Sequence, residues 1–297
     1  MDPLYTSACR GQSNSALCEE LVKSATFGPT QLLGLTVLCG LLNHHVFSPS
    51  RLGALYGPKF RSLSREEQRR VGVLHVGILM KILAFVSLGT PAYLILVENR
   101  SWLEPAWPSG LRLSDMAIVS VGAFGALSLF DLIYSENLRM IYLLHHLGTL
   151  AWVHGLWAMF MALPAFQTAA RFDQFRLICE ISLSWILLSS LGSTVSRVIY
   201  LLRQFCPTGY SHLHRLFFGG FLLYSILLTL EAGLITYLTI HYYHNLPKAL
   251  PPLIGVFQFL FTATKLKTTA RILSVYRRQK GTSRSPLPEE VKVHPRQ

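Results

Sequence analysis

The chain has 297 residues, of which 51% are hydrophobic and 14% charged, with a net charge of +12 at pH 7. A soluble domain carries about 25% charged residues and the mean hydropathy here is +0.38, which excludes an ordinary soluble enzyme and leaves one polytopic membrane domain. The positive excess lies in loops and at the C-terminal end, where the positive-inside rule accounts for it better than nucleic-acid binding does.

Residues 1–30 read as a lumenal N-terminal segment. They carry Arg10, Glu19, Glu20 and Lys23 and close on Gly28-Pro29, which is not the pattern of a secretory signal. The first span is therefore expected to stay as an anchor. The five cysteines form no C-x-x-C motif, and Cys9 and Cys18 can pair only if this segment is lumenal.

Seven apolar runs follow, at about 31–47, 73–97, 116–134, 139–166, 175–191, 213–240 and 250–266. A hydrocarbon core of about 30 Å needs about 20 helical residues, so each is expected to span or nearly span a bilayer. The expected fold is an all-α integral membrane bundle of about seven helices, the last six enclosing a lipid-sized cavity. Residues 31–60 hold the first span and a basic loop, 61–277 the main membrane domain, and 278–297 a disordered tail rich in Pro, Ser and charge.

Basic residues set the expected orientation. Arg51, Lys59, Arg61, Arg65, Arg69 and Arg70 follow the first run; Arg197 and Arg203 lie between the fifth and sixth, with Arg215 at the edge; the C-terminal end carries Lys265, Lys267, Arg271, Arg277, Arg278, Lys280 and Arg284. The alternate loops are sparse in Lys and Arg, so the N-terminus is expected to be lumenal and the C-terminus cytosolic. Asn99-Arg100-Ser101 is then a lumenal sequon, set very close to a span end. The stretch 265–280 either signals orientation or touches anionic lipid.

The ionisable residues inside the runs are Lys81, Asp131, His145, His146, His154, Glu180 and Glu231. Charge inside a bilayer is costly, so each is a functional-site hypothesis. The adjacent pair His145-His146, with Thr149 one turn on, is the most pointed: roughly 10 Å deep from the cytosolic end, with Lys81 roughly 13 Å deep in its own helix and Asp131 near the end of the third run. Buried charges need partners. Lys81 with Asp131 is the expected pair, serving either a site or helix register. Arg176 and Glu180 stand four apart on one helix face, with Ser184 one turn further. The serines of the fifth run serve either helix packing or a polar site. His44-His45 falls at a span end. No phosphate loop, G-x-S-x-G elbow or H-E-x-x-H zinc motif occurs, and no metal site is expected.

At His145-His146-x-x-Thr149 the sequence resembles the TLC-domain family, which includes the ceramide synthases. Their signature runs H-H-x-x-T and, after a long spacer, H-D-x-x-D-x-x-L-E. Laid without gaps from His145, the paired histidines match His145 and His146, the threonine Thr149, the first aspartate Asp173 and the closing glutamate Glu180. Phe172, Arg176 and Cys179 replace the second histidine position, second aspartate and leucine, so half of the acidic block is missing. The resemblance covers about 61–277. It implies an endoplasmic-reticulum membrane protein acting on long-chain acyl lipids, as an N-acyltransferase that moves a fatty acyl group from acyl-CoA, a co-substrate rather than a bound cofactor, to a sphingoid amine.

In that reading His145 and His146 are nucleophile or base, Glu180 and Asp173 orient or donate protons, and Lys81, Asp131, Thr149, Ser184 and Arg176 bind substrate. Membrane lipids are the expected partners, nucleic acid is not, and self-association stays open. The substitution of Arg176 for an acid equally fits a relative that binds or traffics lipid without chemistry. A seven-span receptor has only its span count in favour. One geometric question follows from the spacing. If the fourth run is straight and turns near Pro164, the histidines stand about 27 Å from that turn while Asp173 stands beside it.

Overall fold

The computed structural model describes residues 15–282 except 103, 107–109, 136–137, 163–168 and 206–212; for 15–26, 160–162, 169–173, 175 and 281–282 it describes the backbone alone. Among the described residues the chain is helical throughout, with no strand and one isolated bridge, Pro105 to Arg112. The helices are α1 (Ser15–Leu41), continued by a π-helical turn at Leu42–Val46, α2 (Pro49–Tyr56), α3 (Pro58–Arg61), α4 (Arg65–Leu96), α5 (Leu113–Tyr134), α6 (Met140–Ala162), α7 (Ala169–Phe205), α8 (Leu213–His241) and α9 (Leu250–Thr282).

Local chemistry sets several of these ends. Ser64 opens α4 with a reciprocal capping box: its hydroxyl accepts from the Glu67 amide, and the Glu67 carboxylate accepts from the Ser64 amide at 2.9 Å. Ser48 and Pro49 start α2, whose end at Gly57 has φ 67°, a backbone region open to glycine. At α5, the Asp115 carboxylate accepts from the Arg112 amide at 3.0 Å.

Four helices, α4, α5, α7 from Arg176 and α8, are long and apolar enough to cross a membrane; α1 with α2, bent by 54° at their break, makes a fifth if taken as one span. Seven of the helices have 22 residues or more, but the composition of the described residues supports only four or five of the seven expected spans. His145, His146 and His154 dilute α6, and Gln258, Lys265 and Lys267 dilute α9.

Six helices close on one another. α4 packs on α5 and α7, α8 on α7 and α9, and α6 on α5 and α9, so the order around the ring is α4, α5, α6, α9, α8, α7. The largest core cluster runs through the ring interior from Leu88 and Leu113 through Leu156 and Trp185 to Phe261. α1 lies outside, against α5 and α6. Its approach is close because glycines face it: Leu32 lies on Gly125, Gln31 on Gly122, and Trp157 on its own Gly28.

Three helix boundaries differ from the ends of the apolar runs. The first helix already runs from Ser15, so residues 15–30 are helical and continuous with the first run. α7 continues to Phe205 instead of ending near 191, because the polar residues in this stretch bond within the helix or pack inward. α9 continues to Thr282, so the expected tail starts later; its remainder, like residues 1–14, is outside the described residues.

Replacing Gly125 by Leu drives a side chain into Leu32 and Val153, which stand 3.2 and 3.3 Å from the first added carbon. Overpacking of this kind costs about 1–3 kcal/mol. Gly34, with open space around it, is the matched control. Thermal unfolding in detergent should therefore fall for Gly125→Leu and stay near the native value for Gly34→Leu.

Candidate functional site

Every ring helix brings an ionisable residue into the interior: Lys81 on α4, Asp131 on α5, His145 and His146 on α6, Arg197 on α7, Glu231 on α8 and Lys265 on α9. Two ion pairs organise them. The Arg197 guanidinium donates to Asp131 Oδ2 at 2.5 Å, and His146 Nε2 stands 3.9 Å from the same oxygen. On the other side, the Lys265 ammonium donates to both Glu231 carboxylate oxygens and, at 3.0 Å, to Ser189 Oγ. Trp185 Nε1 donates to Glu231 at 2.9 Å.

The sequence-level pairing of Lys81 with Asp131 is thus incorrect. Asp131 takes Arg197, because α7 extends far enough to carry Arg197 to the end of α5. Gly77 leaves the room: a β-carbon there would meet the Arg197 guanidinium. Lys81 lies instead over the Phe124 ring, 3.3 Å from its centroid. Arg197 and Lys265, both counted as cytosolic orientation signals, are ring residues; Lys265 is buried and unavailable to surface lipid.

Between the two pairs lies a narrow chamber lined by Phe124, His145, Thr149, Trp152, Ser189 and Phe261, among others. His145 stacks edge-on to Phe261 at 4.8 Å between ring centroids. The Nδ1 atoms of His145 and His146, and Asp131 Oδ1, are buried with no hydrogen-bond partner. Thr149 is buried, but its hydroxyl donates back to the His145 carbonyl at 3.0 Å. At the far end Trp152 Nε1 donates to Ser182 Oγ at 3.1 Å. Ser182 and Ser189 are seven residues apart, so the chamber is about 10 Å long. Its free space is about 20 Å³ for the centre of a water-sized sphere, room for about one water. The expected lipid-sized cavity is not found at this site. A wider space, about 620 Å³, lies on the outer face between α8 and α9, beside Leu228, Ala232, Gly233, Thr262 and Leu266.

Glu180 does not join the histidines. Its carboxylate is taken by Arg176 at 2.8 Å, as the spacing suggested, and Arg176 also reaches Asn99 at the α4–α5 connection. Glu180 and Arg197 are seventeen residues apart on α7, about 25 Å along the axis, and the histidine pair stands at the Arg197 level. Ser184, one turn further on, is buried and donates to the Glu180 carbonyl at 2.9 Å. Asp173 falls in the first turns of α7, its side chain outside the described residues. His44 and His45 lie in the π turn outside the ring core, and His154 is exposed on α6. Among the described residues no group of three or more His, Cys, Asp or Glu is placed to hold a metal ion.

Sequence reasoning missed Arg197, Lys265, Ser189, Trp152 and Trp185. Two signals pointed to them. Lys265 falls inside the apolar run 250–266 while Glu231 lacked an assigned cation. Ser182, Ser189, Ser193 and Arg197 continue one helical stripe when the 3.6-residue period is carried past 191.

No family model, no curated protein and no solved structure matches the chain. The geometry therefore stands by itself: a ring interior with two compensated charge pairs and an imidazole pair between them, facing a narrow, mostly apolar chamber.

Removing one partner of a buried pair leaves an uncompensated charge and costs about 3–5 kcal/mol. Arg197→Met should lower the unfolding temperature strongly, and Arg197→Met combined with Asp131→Asn should recover much of the loss. A double-mutant cycle by thermal unfolding in detergent reads the coupling; additive losses would mean that the pair carries no mutual energy.

Proposed function

We propose that the protein acts on long-chain acyl lipids from within the endoplasmic-reticulum membrane, as an acyl-CoA-dependent N-acyltransferase of the TLC-domain type. All of α1 and α4–α9 then cross the bilayer, the N-terminus is lumenal and the C-terminus cytosolic. The observation that carries the reading is His145: its imidazole faces an enclosed chamber rather than bulk lipid, with His146 beside it and Asp131 within 3.9 Å of His146.

The chemistry assigned to the pair is acyl transfer to an amine. The amine nitrogen attacks the thioester carbonyl of acyl-CoA and the new C–N bond forms. His145, whose neutral form is abundant near pH 7, takes the proton that the nitrogen loses. The C–S bond breaks, and the departing thiolate receives that proton from His145, giving amide and free thiol. Asp131, with Oδ2 3.9 Å from His146 Nε2, is assigned the orienting role expected from Glu180 and Asp173 at the sequence level. The acyl chain itself does not fit the chamber. The α8–α9 groove has the room, and a carbonyl reaches His145 only when these helices part around the Glu231–Lys265 pair.

A second reading is favoured by the narrow chamber and by the engagement of Glu180 with Arg176. In it the protein binds or distributes lipid and performs no chemistry, and the histidines serve recognition alone.

A general base contributes about 10²- to 10⁴-fold to a rate. Acyl-CoA-dependent amide formation by the purified protein should fall by that order in His145→Ala and less in His146→Ala. Equal turnover in the native protein and both variants assigns the function to the second reading.

A further inference from the structure

Within the ring interior, three cations face two carboxylates. Arg197 is compensated by Asp131 and Lys265 by Glu231, each by direct contact. Lys81 is the remainder. Its side chain is buried, with 6% of the residue exposed, and among the described residues its close partner is the Phe124 ring. A cation on an aromatic face is stabilised by about 0.5–2 kcal/mol, whereas the desolvation of an ammonium costs several. The ring leaves that difference open, and an anion brought by a ligand closes it.

The position suits such a ligand. Phe124, on which the ammonium lies, is also a wall of the His145 chamber. Lys81 is within electrostatic reach of both histidines and both ion pairs, so it is the amine of one connected polar centre that, among the described residues, no carboxylate contacts directly. Of the groups facing it, Asp131 Oδ2 is taken by Arg197 and stands 3.9 Å from His146, Asp131 Oδ1 has no hydrogen-bond partner, and the Glu231 oxygens are taken by Lys265 and Trp185. Room for about one water beside His145 admits an oxygen of a head group and not a chain.

We propose that Lys81 is the anion-binding group of this centre and holds the charged head of a single-chain amphiphile, carboxylate or phosphate, against Phe124 beside His145. This rests on the acyl-lipid part of the function proposed above and not on its acyl-transfer step. It gives the ligand class: a long chain ending in an anion, as free fatty acid or as a phosphate-bearing lipid.

The test is equilibrium binding of four probes to the full-length protein in detergent: oleate, oleyl alcohol, lysophosphatidic acid and inorganic phosphate. The native protein should bind oleate or lysophosphatidic acid at least about ten-fold more tightly than the alcohol, and phosphate weakly. Preference for oleate assigns a fatty acid as the source of the anion, and preference for lysophosphatidic acid a phospholipid head. In Lys81→Met the preference over the alcohol should fall below about two-fold with alcohol binding unchanged, while Lys81→Arg keeps it. Equal binding of acid and alcohol by the native protein overturns the proposal and leaves the acyl-lipid reading standing; this comparison needs no variant. An anion preference that survives in Lys81→Met also overturns it. Failure of every chain-bearing probe to bind overturns both.

Discussion

Bringing charge into the middle of a helical bundle is the constraint on which this structure turns. Each ring helix carries an ionisable side chain where water is scarce, and an ion moved from water to such surroundings loses several kcal/mol after relaxation. The chain meets this by pairing across helices: α5 with α7 through Asp131 and Arg197, α8 with α9 through Glu231 and Lys265. These contacts link the two halves of the ring as surely as the apolar core does. A buried pair is a weak source of net stability compared with well-packed apolar residues, but it is intolerant of misplacement. Its consequence here is register: a one-turn slip of α7, about 5 Å, separates Arg197 from Asp131.

That register places the chamber. With α7 held at Arg197, Ser182, Trp185 and Ser189 face inward, and with α9 held at Lys265, Phe261 closes over His145. Trp185 serves both parts, giving its indole N–H to Glu231 and its ring to the chamber wall. Small residues make these approaches possible. Gly77 admits the Arg197 guanidinium, and Gly148 lets α6 come up to Leu260, Phe257 and Phe261 of α9. The serines of α7 satisfy their hydroxyls largely on carbonyls one turn back, so they add polarity to the interior without demanding partners from other helices.

The functional reading follows from the same arrangement. Imidazoles in a dry, enclosed place beside a fixed carboxylate are suited to moving protons, and an ammonium without a carboxylate beside it is suited to an anion. Glu180 is held by Arg176 at the opposite end of the ring. Asp131 takes up the place beside the histidines from a different helix. A polar centre is thus assembled from α4 to α9 rather than from two adjacent segments of chain.

Helix content and the position of each apolar run were legible in the sequence, because such runs are local features of length and composition; the polar extensions of α1, α7 and α9 beyond those runs were not. So were the polar interior positions Lys81, Asp131, His145, His146 and Glu231, and the Arg176–Glu180 pair, which lies within one helix at a spacing of four. What the sequence could not settle was every pairing between helices. Lys81 and Asp131 were the nearest candidates by depth, yet depth along an axis says nothing of rotation about it, and the closed order of the ring gave Asp131 to Arg197. For the same reason Arg197 and Lys265 read as loop charges until α7 was extended and α9 was set against α8. Composition decides which groups must be neutralised; only the tertiary arrangement decides by which partner, because the energy of a pair depends on contact across helices that no local pattern records.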